Sequence, residues 1–357
     1  MDSQYIDQGI RAISNEVTDS RVVHKGELTM VLNDKTSNGT IIGRSLLINI
    51  DNEFVINQRT EVISPKENLD SSFAYVLLNG PFRKKVKRIV QGGTQIYVNY
   101  PAVERLYFEL PPIDEQIKIG TFFSNLDYLI TLHQRKLDKL KQLKQGYLQQ
   151  LFPQNGEKFP RVRFINFELE WEERKLGNIG KVQSGVGFPE TEQGGTQGIP
   201  FYKVSDMNNL GNETEMKNSN NYVNTEQIMR KKWKPVETVP AIIFAKVGAA
   251  IMLNRKRLVK HSFLIDNNTM AYIFYDSWDI KFGKTVFETI NLPRYAQVGA
   301  LPSYNGFDIE SIVIKIPNIS EQEKIGSFFK ELDSYIILHQ NKLNQLKTCK
   351  DTVNNYV

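Results

Sequence analysis

Residues 115–141 read EQIKIGTFFSNLDYLITLHQRKLDKLK, and residues 321–347 read EQEKIGSFFKELDSYIILHQNKLNQLK. The two stretches align without a gap at an offset of 206, and 17 of the 27 positions are identical. A repeat of this quality decides the architecture before any single motif does. In the first copy Leu126, Ile130, His133, Leu137 and Leu140 recur at alternating steps of four and three, and Lys144, Tyr147 and Leu151 continue the spacing. The second copy answers with Leu332, Ile336, His339, Leu343 and Leu346, then Lys350, Val353 and Val357. This is the heptad seam of a coiled coil. Each seam carries a His and a Lys at matched places, and the histidines read as polar register devices. Pro111-Pro112 before Asp114, and Pro317 before the box Ser320-Glu321-Gln322-Glu323, mark the two helix starts. A helix from Asp114 to Leu151 is ~57 Å long and needs a partner along its seam. The other copy, lying antiparallel in the same chain, supplies one.

Working outward, the offset holds upstream: Gln91 matches Gln297, Asn99 matches Asn305 and Pro111 matches Pro317. Between these, Val103–Leu110 and Ile309–Ile316 each read as a strand. Further β-branched and aromatic runs, Arg44–Ile50, Phe54–Ile56, Ala241–Lys246 and Met270–Tyr275, stand between Gly, Asn and Pro breaks. The fold class is therefore α+β. Two mixed, strand- and loop-rich domains are separated by two long antiparallel coiled-coil helices, with a pseudo-two-fold internal repeat. The segments are a first domain 1–111, a first long helix 112–152, a connector 153–170, a second domain 171–317 and a second long helix 318–357.

Composition narrows the function. Of 357 residues 40% are apolar and 24% charged, so the chain can bury real cores. The single cysteine, Cys349, excludes a disulfide framework and a cysteine-rich zinc site. No apolar run is long enough to span a membrane, and the polar, acidic start Met1–Gln8 does not read as a secretory signal. The expected location is cytoplasmic. Net charge is only +5, yet it is unevenly placed. No acidic residue occurs from Ser71 to Val103, a stretch holding Arg83, Lys84, Lys85, Lys87 and Arg88. From Gln227 to Ile265 there is one acid, Glu237, against Arg230, Lys231, Lys232, Lys234, Lys246, Arg255, Lys256, Arg257 and Lys260. One cluster in each half of a repeated architecture points to phosphate contact more than to a solvated face. Apart from Lys246, all of these are candidate phosphate contacts.

Catalytic motifs are missing. There is no Asn/Asp-Pro-Pro-Tyr/Phe tetrapeptide, no GxGxxG, no complete phosphate loop, no HExxH and no Pro-Asp pair to open a common nuclease metal motif.

The stretches Pro112–Asp127 and Ile319–Asp333, with their trailing Lys-Leu-x-x-Leu-Lys, resemble the conserved regions of type I restriction-modification specificity subunits. Trp171-Glu-Glu-Arg-Lys-Leu-Gly, Ser184-Gly185 and Ile199-Pro-Phe-Tyr-Lys-Val-Ser-Asp are similar to the opening of their second domain. The resemblance covers essentially the whole chain. It implies two target-recognition domains held apart by antiparallel helices, each reading one half of a split site on double-stranded DNA. It implies two methyltransferase subunits that methylate adenine, and motor-nuclease subunits that cleave unmodified DNA. S-adenosylmethionine, ATP and magnesium would belong to those partners. This chain would hold no cofactor and no catalytic centre, and would contact no membrane.

One departure stands out. The first domain reaches Val23-His-Lys-Gly-Glu-Leu and Gly39-Thr-Ile-Ile-Gly-Arg soon after Met1, stretches that resemble the middle of a recognition domain. It reads as lacking its opening segment. The alternative function is therefore a non-reading scaffold, or a reservoir of specificity domains for recombination, with a defective first domain.

Overall fold

The structure, a computed structural model, describes residues 9–35, 38–154, 156–297 and 301–354. The polar start Met1–Gln8 and the last seam residue, Val357, lie outside the described residues. The chain divides into two compact units, residues 1–138 with 337–357, and residues 139–336. The boundaries differ from the expected domains because each long helix is shared between the units. The start of one helix packs with the end of the other, so each unit keeps a domain and a stretch of both helices.

In the first unit, strands Ser45–Leu47, Leu28–Val31 and Thr60–Ile63 form an antiparallel sheet in that order. Helix Ser71–Asn79 packs on it. Its Phe73, Ala74, Leu77 and Leu78 share one core with Leu28 and Met30, closed by Phe82 and Val86 of helix Pro81–Val86. Asp70 caps the first of these helices, its carboxylate accepting from Phe73 N at 2.8 Å. Gly80 and Pro81 then end one helix and begin the next.

In the second unit the central strand Ala241–Ala245 is buried along its whole length. Its neighbours are Lys256–Val259 on one side and Thr269–Phe274 on the other, with Gly180–Ser184 paired beyond. Both faces of this sheet are covered, which is why the strand reads as a continuous apolar run rather than an alternation. Ile242 and Phe244 point into a core with Phe282 and Phe287 of helix Ile280–Thr289 and with Ile325 and Phe329 of the second long helix. Ala241 and Ile243 point the other way, to Tyr202, Met207, Met216 and Phe263. Asp279 caps helix Ile280–Thr289 through Phe282 N at 2.8 Å, as Asp70 does in the first unit.

The long helices run from Ile113 to Gln150 and from Ile319 to Val353. Two expected starts shift. Asn318, not Ser320, caps the second helix, accepting from Glu321 N at 3.0 Å. Glu321 is instead drawn to Arg163 of the connector, which binds its carboxylate with two bonds of 2.8 Å. The first helix begins with Glu115 N and Gln116 N donating to Pro112 O, so Asp114 lies in its first turn and is not the cap. The expected strand Val103–Leu110 is also absent. The repeat mate of its end, Val313–Ile316, is a strand because Glu172–Lys175 pairs with it. Tyr107–Leu110 has no such neighbour among the described residues, and Tyr107 is 88% exposed.

Candidate nucleic-acid interface

The seam positions lie inside. Leu126, Ile130, Leu137, Leu332 and Leu343 are buried, and His133, Leu140, Ile336, His339 and Leu346 are half-buried. In the first unit His133 Nδ1 stands 3.0 Å from Nδ1 of its own repeat mate, His339. The matched lysines behave alike. Lys350 pairs with Asp127 in the first unit. In the second, Lys144 pairs with Asp333 at 2.6 Å and with Glu288 at 2.5 Å. The acids they meet are matched as well, since Asp127 and Asp333 are themselves repeat mates. Burial raises the Asp333 carboxyl, but the Lys284 and Lys144 ammonium groups outweigh it and hold it below the usual carboxylate range. Glu288 and Asp333 in turn hold Lys284 above its ordinary value despite burial.

The expected phosphate contacts divide in two. One set is engaged by groups of the protein itself. Arg83 donates to Ile42 O and Thr40 O at 2.9 and 2.6 Å. Lys85 donates to Tyr107 O at 2.7 Å and lies over the Phe108 ring. Arg230 and Lys231 hold the buried Glu192 carboxylate at 3.0 and 3.3 Å, and Lys260 pairs with Glu215 at 2.6 Å. Arg255 bonds to Asn208. Lys256 donates to Ile290 O at 2.6 Å, and burial pulls its pKa down to about 8. Arg257 donates to Lys256 O at 3.0 Å. These side chains stabilise the domain surface, and their charge density in sequence reflects that use as well as any ligand.

The other set faces out. Lys87, Arg88, Lys232 and Lys234 are exposed and carry no side-chain hydrogen bond or ion pair among the described residues. Lys84 is exposed beside them. Arg44, which the charge count passed over, joins the first cluster. Burial and then the Arg44 charge lower Arg83, and burial, Arg83 and Arg44 lower Lys87. Arg44 and Arg83 both bear on Lys87, and no acid is among the causes, so this corner of the domain carries a local positive field suited to an anion. Arg44 was missed because it lies far from the others in sequence and meets them only through the packing of helix Pro81–Val86.

The long helices also expose apolar side chains away from the seam: Ile117, Phe122, Tyr128 and Leu129 on the first, Tyr335, Ile337 and Leu338 on the second. Asp127, Tyr128, Thr131, Leu132 and Arg135 line a depression of about 290 Å³ on the first helix. Among the described residues no helix is long and apolar enough to cross a membrane.

A family model for the type I restriction modification DNA specificity domain matches residues 21–142 and again 168–348. The type I restriction enzyme MjaIX specificity subunit of Methanocaldococcus jannaschii is 24% identical over 371 residues, covering 98% of this chain and 81% of that protein. The MjaVIII specificity subunit of the same organism is 20% identical over 382 residues, covering 99% and 84%. Among solved structures, the S subunit of the type I restriction-modification system of M. genitalium matches with a TM-score of 0.62 at 16% identity. The match covers 94% of this chain and 84% of that one.

Proposed function

The chain belongs to the family of type I restriction-modification specificity subunits, and on that premise we propose that it reads a bipartite DNA target and directs adenine methylation or cleavage by partner subunits. Each unit contributes one reader. The observation that carries this is the repetition of the same docking arrangement in both units. A buried glutamine near the start of each long helix holds the Asp-capped helix of the domain before it. Two readers built alike are what a split site requires. Lys87, Arg88, Lys232 and Lys234 supply phosphate contacts that set register, while loop side chains read base edges. The exposed apolar faces of the long helices take the methyltransferase subunits, and motor-nuclease subunits complete the assembly. Catalysis and its cofactors, S-adenosylmethionine, ATP and magnesium, belong to those partners.

The test is to map methylated adenine in a cell that expresses this chain with its methyltransferase subunit. A motif of two short specified blocks separated by unspecified bases is expected. One contiguous block, or no motif, overturns the reading.

A second reading keeps the fold and withdraws DNA reading from the first domain. It is favoured by the first-unit sheet, which holds three strands. Thr60–Ile63 is an edge strand among the described residues, where Thr269–Phe274 of the second unit has Gly180–Ser184 beside it. A methylation motif with only one specified block would support this reading.

A further inference from the structure

Between strands Ile199–Tyr202 and Tyr222–Val223 the chain makes an excursion whose only regular piece is the short turn Val204–Asn208. Buried polar side chains knit it together. Asp206 is fully buried, and its carboxylate accepts from Lys203 N at 2.7 Å and from Asn220 N at 3.0 Å. Asn212 is also fully buried. Its Nδ2 donates to Asp206 O and Asn218 O, both at 2.8 Å, and its Oδ1 accepts from Lys217 N at 2.8 Å. Asn218 Nδ2 donates in turn to Leu210 O at 3.1 Å. Met207 and Met216 anchor both flanks in the core. A buried network satisfied in this way holds a loop in one geometry.

What the loop holds out is specific. Leu210 is 86% exposed at its tip. Single exposed leucines are common on surfaces, but this one sits on backbone whose carbonyl is fixed by a side chain that is itself fixed by a buried one. Asn220 is exposed nearby, and its Oδ1 accepts from Asn209 Nδ2 at 3.0 Å. With its oxygen engaged, Asn220 presents its Nδ2 hydrogens, which have no partner among the described residues. Lys217 is exposed on the same loop. Core packing accounts for Asp206 and Asn212. It gives no reason to hold an apolar tip and an oriented amide in water, whereas recognition sites are built by fixing the contacting groups in advance.

Resting on the DNA-reading function above, we propose that residues 206–221 form the base-reading loop of the second domain. Leu210 makes the apolar contact, to a thymine methyl or an exposed base face. Asn220 donates its Nδ2 hydrogens to an acceptor edge, guanine N7 and O6, adenine N7 or thymine O4.

The experiment uses the full chain assembled with its methyltransferase subunits, on the selected site, on a panel of single base-pair changes and on random DNA. Leu210→Ala and Asn220→Ala are each expected to weaken binding to the site by about tenfold or more. Each should flatten discrimination at one or two adjacent base pairs of one half-site. Affinity for random DNA, its salt dependence and the melting temperature should stay unchanged, which a merely structural role would not allow. If the unmodified protein discriminates and both variants keep its pattern, the loop is not the reader, and DNA reading itself stands. Equal losses on site and random DNA also overturn the proposal. An unmodified protein that discriminates nowhere removes the DNA-reading function and this loop with it.

Discussion

Gln116 holds Asp70: its Oε1 accepts from Asp70 N at 3.0 Å, while its Nε2 donates to Asn68 O at 3.0 Å and to Pro111 O at 2.9 Å. The repeat mate does the same. Gln322 Oε1 accepts from Asp279 N at 3.0 Å, and its Nε2 donates to Ser277 O at 3.1 Å and Pro317 O at 3.0 Å. In each unit one buried side chain ties together the residue that caps the domain helix, the loop before it and the proline turn before the long helix. Domain and helix are thereby joined as one piece.

Removing that amide leaves a backbone N–H and two carbonyls inside without partners. Gln116→Ala and Gln322→Ala should each destabilise their unit by about 1–3 kcal/mol. Gln→Glu should be nearly as harmful, since a carboxylate cannot donate to either carbonyl. Urea unfolding of the full chain measures this, and an unshifted midpoint would show that the interaction is incidental.

One helical turn further on, Gly120 and Gly326 lie against the same capped helices. A Cβ on Gly120 would stand 2.7 Å from Phe73 N, and one on Gly326 would stand 2.5 Å from Phe282 N. Neither backbone can withdraw without breaking the cap. Gly120→Ala and Gly326→Ala should therefore yield unfolded or aggregated protein. Gly146, on the first long helix, has open space around it, and Gly146→Ala should stabilise by about 1 kcal/mol. Thermal melting of the three variants separates close packing from helix propensity.

His133 and His339 face each other, with Lys136 and Lys342 close by. Burial, then His339 and the two lysines, lower the His133 pKa below its ordinary value. The folded state thus binds protons less readily than the unfolded chain. The stability that His133 contributes is present above about pH 6.5 and declines as pH falls through its folded value. The melting temperature should drop between pH 7.5 and pH 5, and His133→Gln should flatten the drop. A steeper decline in the variant would refute the assignment.

The outward lysines and the inward ones should part in a salt titration of DNA binding. Lys232→Ala with Lys234→Ala should reduce the slope of log affinity on log salt by up to about 0.9 for each phosphate no longer neutralised, at unchanged melting temperature. Lys256→Met should leave the slope alone and lower stability by about 1 kcal/mol, because its ammonium serves Ile290 O. The reverse pattern would return the phosphate role to the 255–257 run.

The repeat, the two long helices, their seam and the family resemblance were all legible in the chain. Each rests on periodicity or identity along the sequence, and a helix seam recurs every three or four residues whatever surrounds it. The use made of each charge was not legible. Arg257 and Lys234 look alike in sequence, and one donates to a carbonyl within its own domain while the other stands in water. Tyr107–Leu110 and Val313–Ile316 look alike too, yet only the second is a strand, because a strand forms with a neighbour and the neighbour is 138 or more residues away in the chain. Gln116 and Gln322 were visible as identical letters, and their partners, Asp70 and Asp279, were not. Local spacing determines which residues share a face. Long-range packing decides which polar groups meet, since hydrogen bonds and ion pairs depend on angstroms that sequence separation does not record.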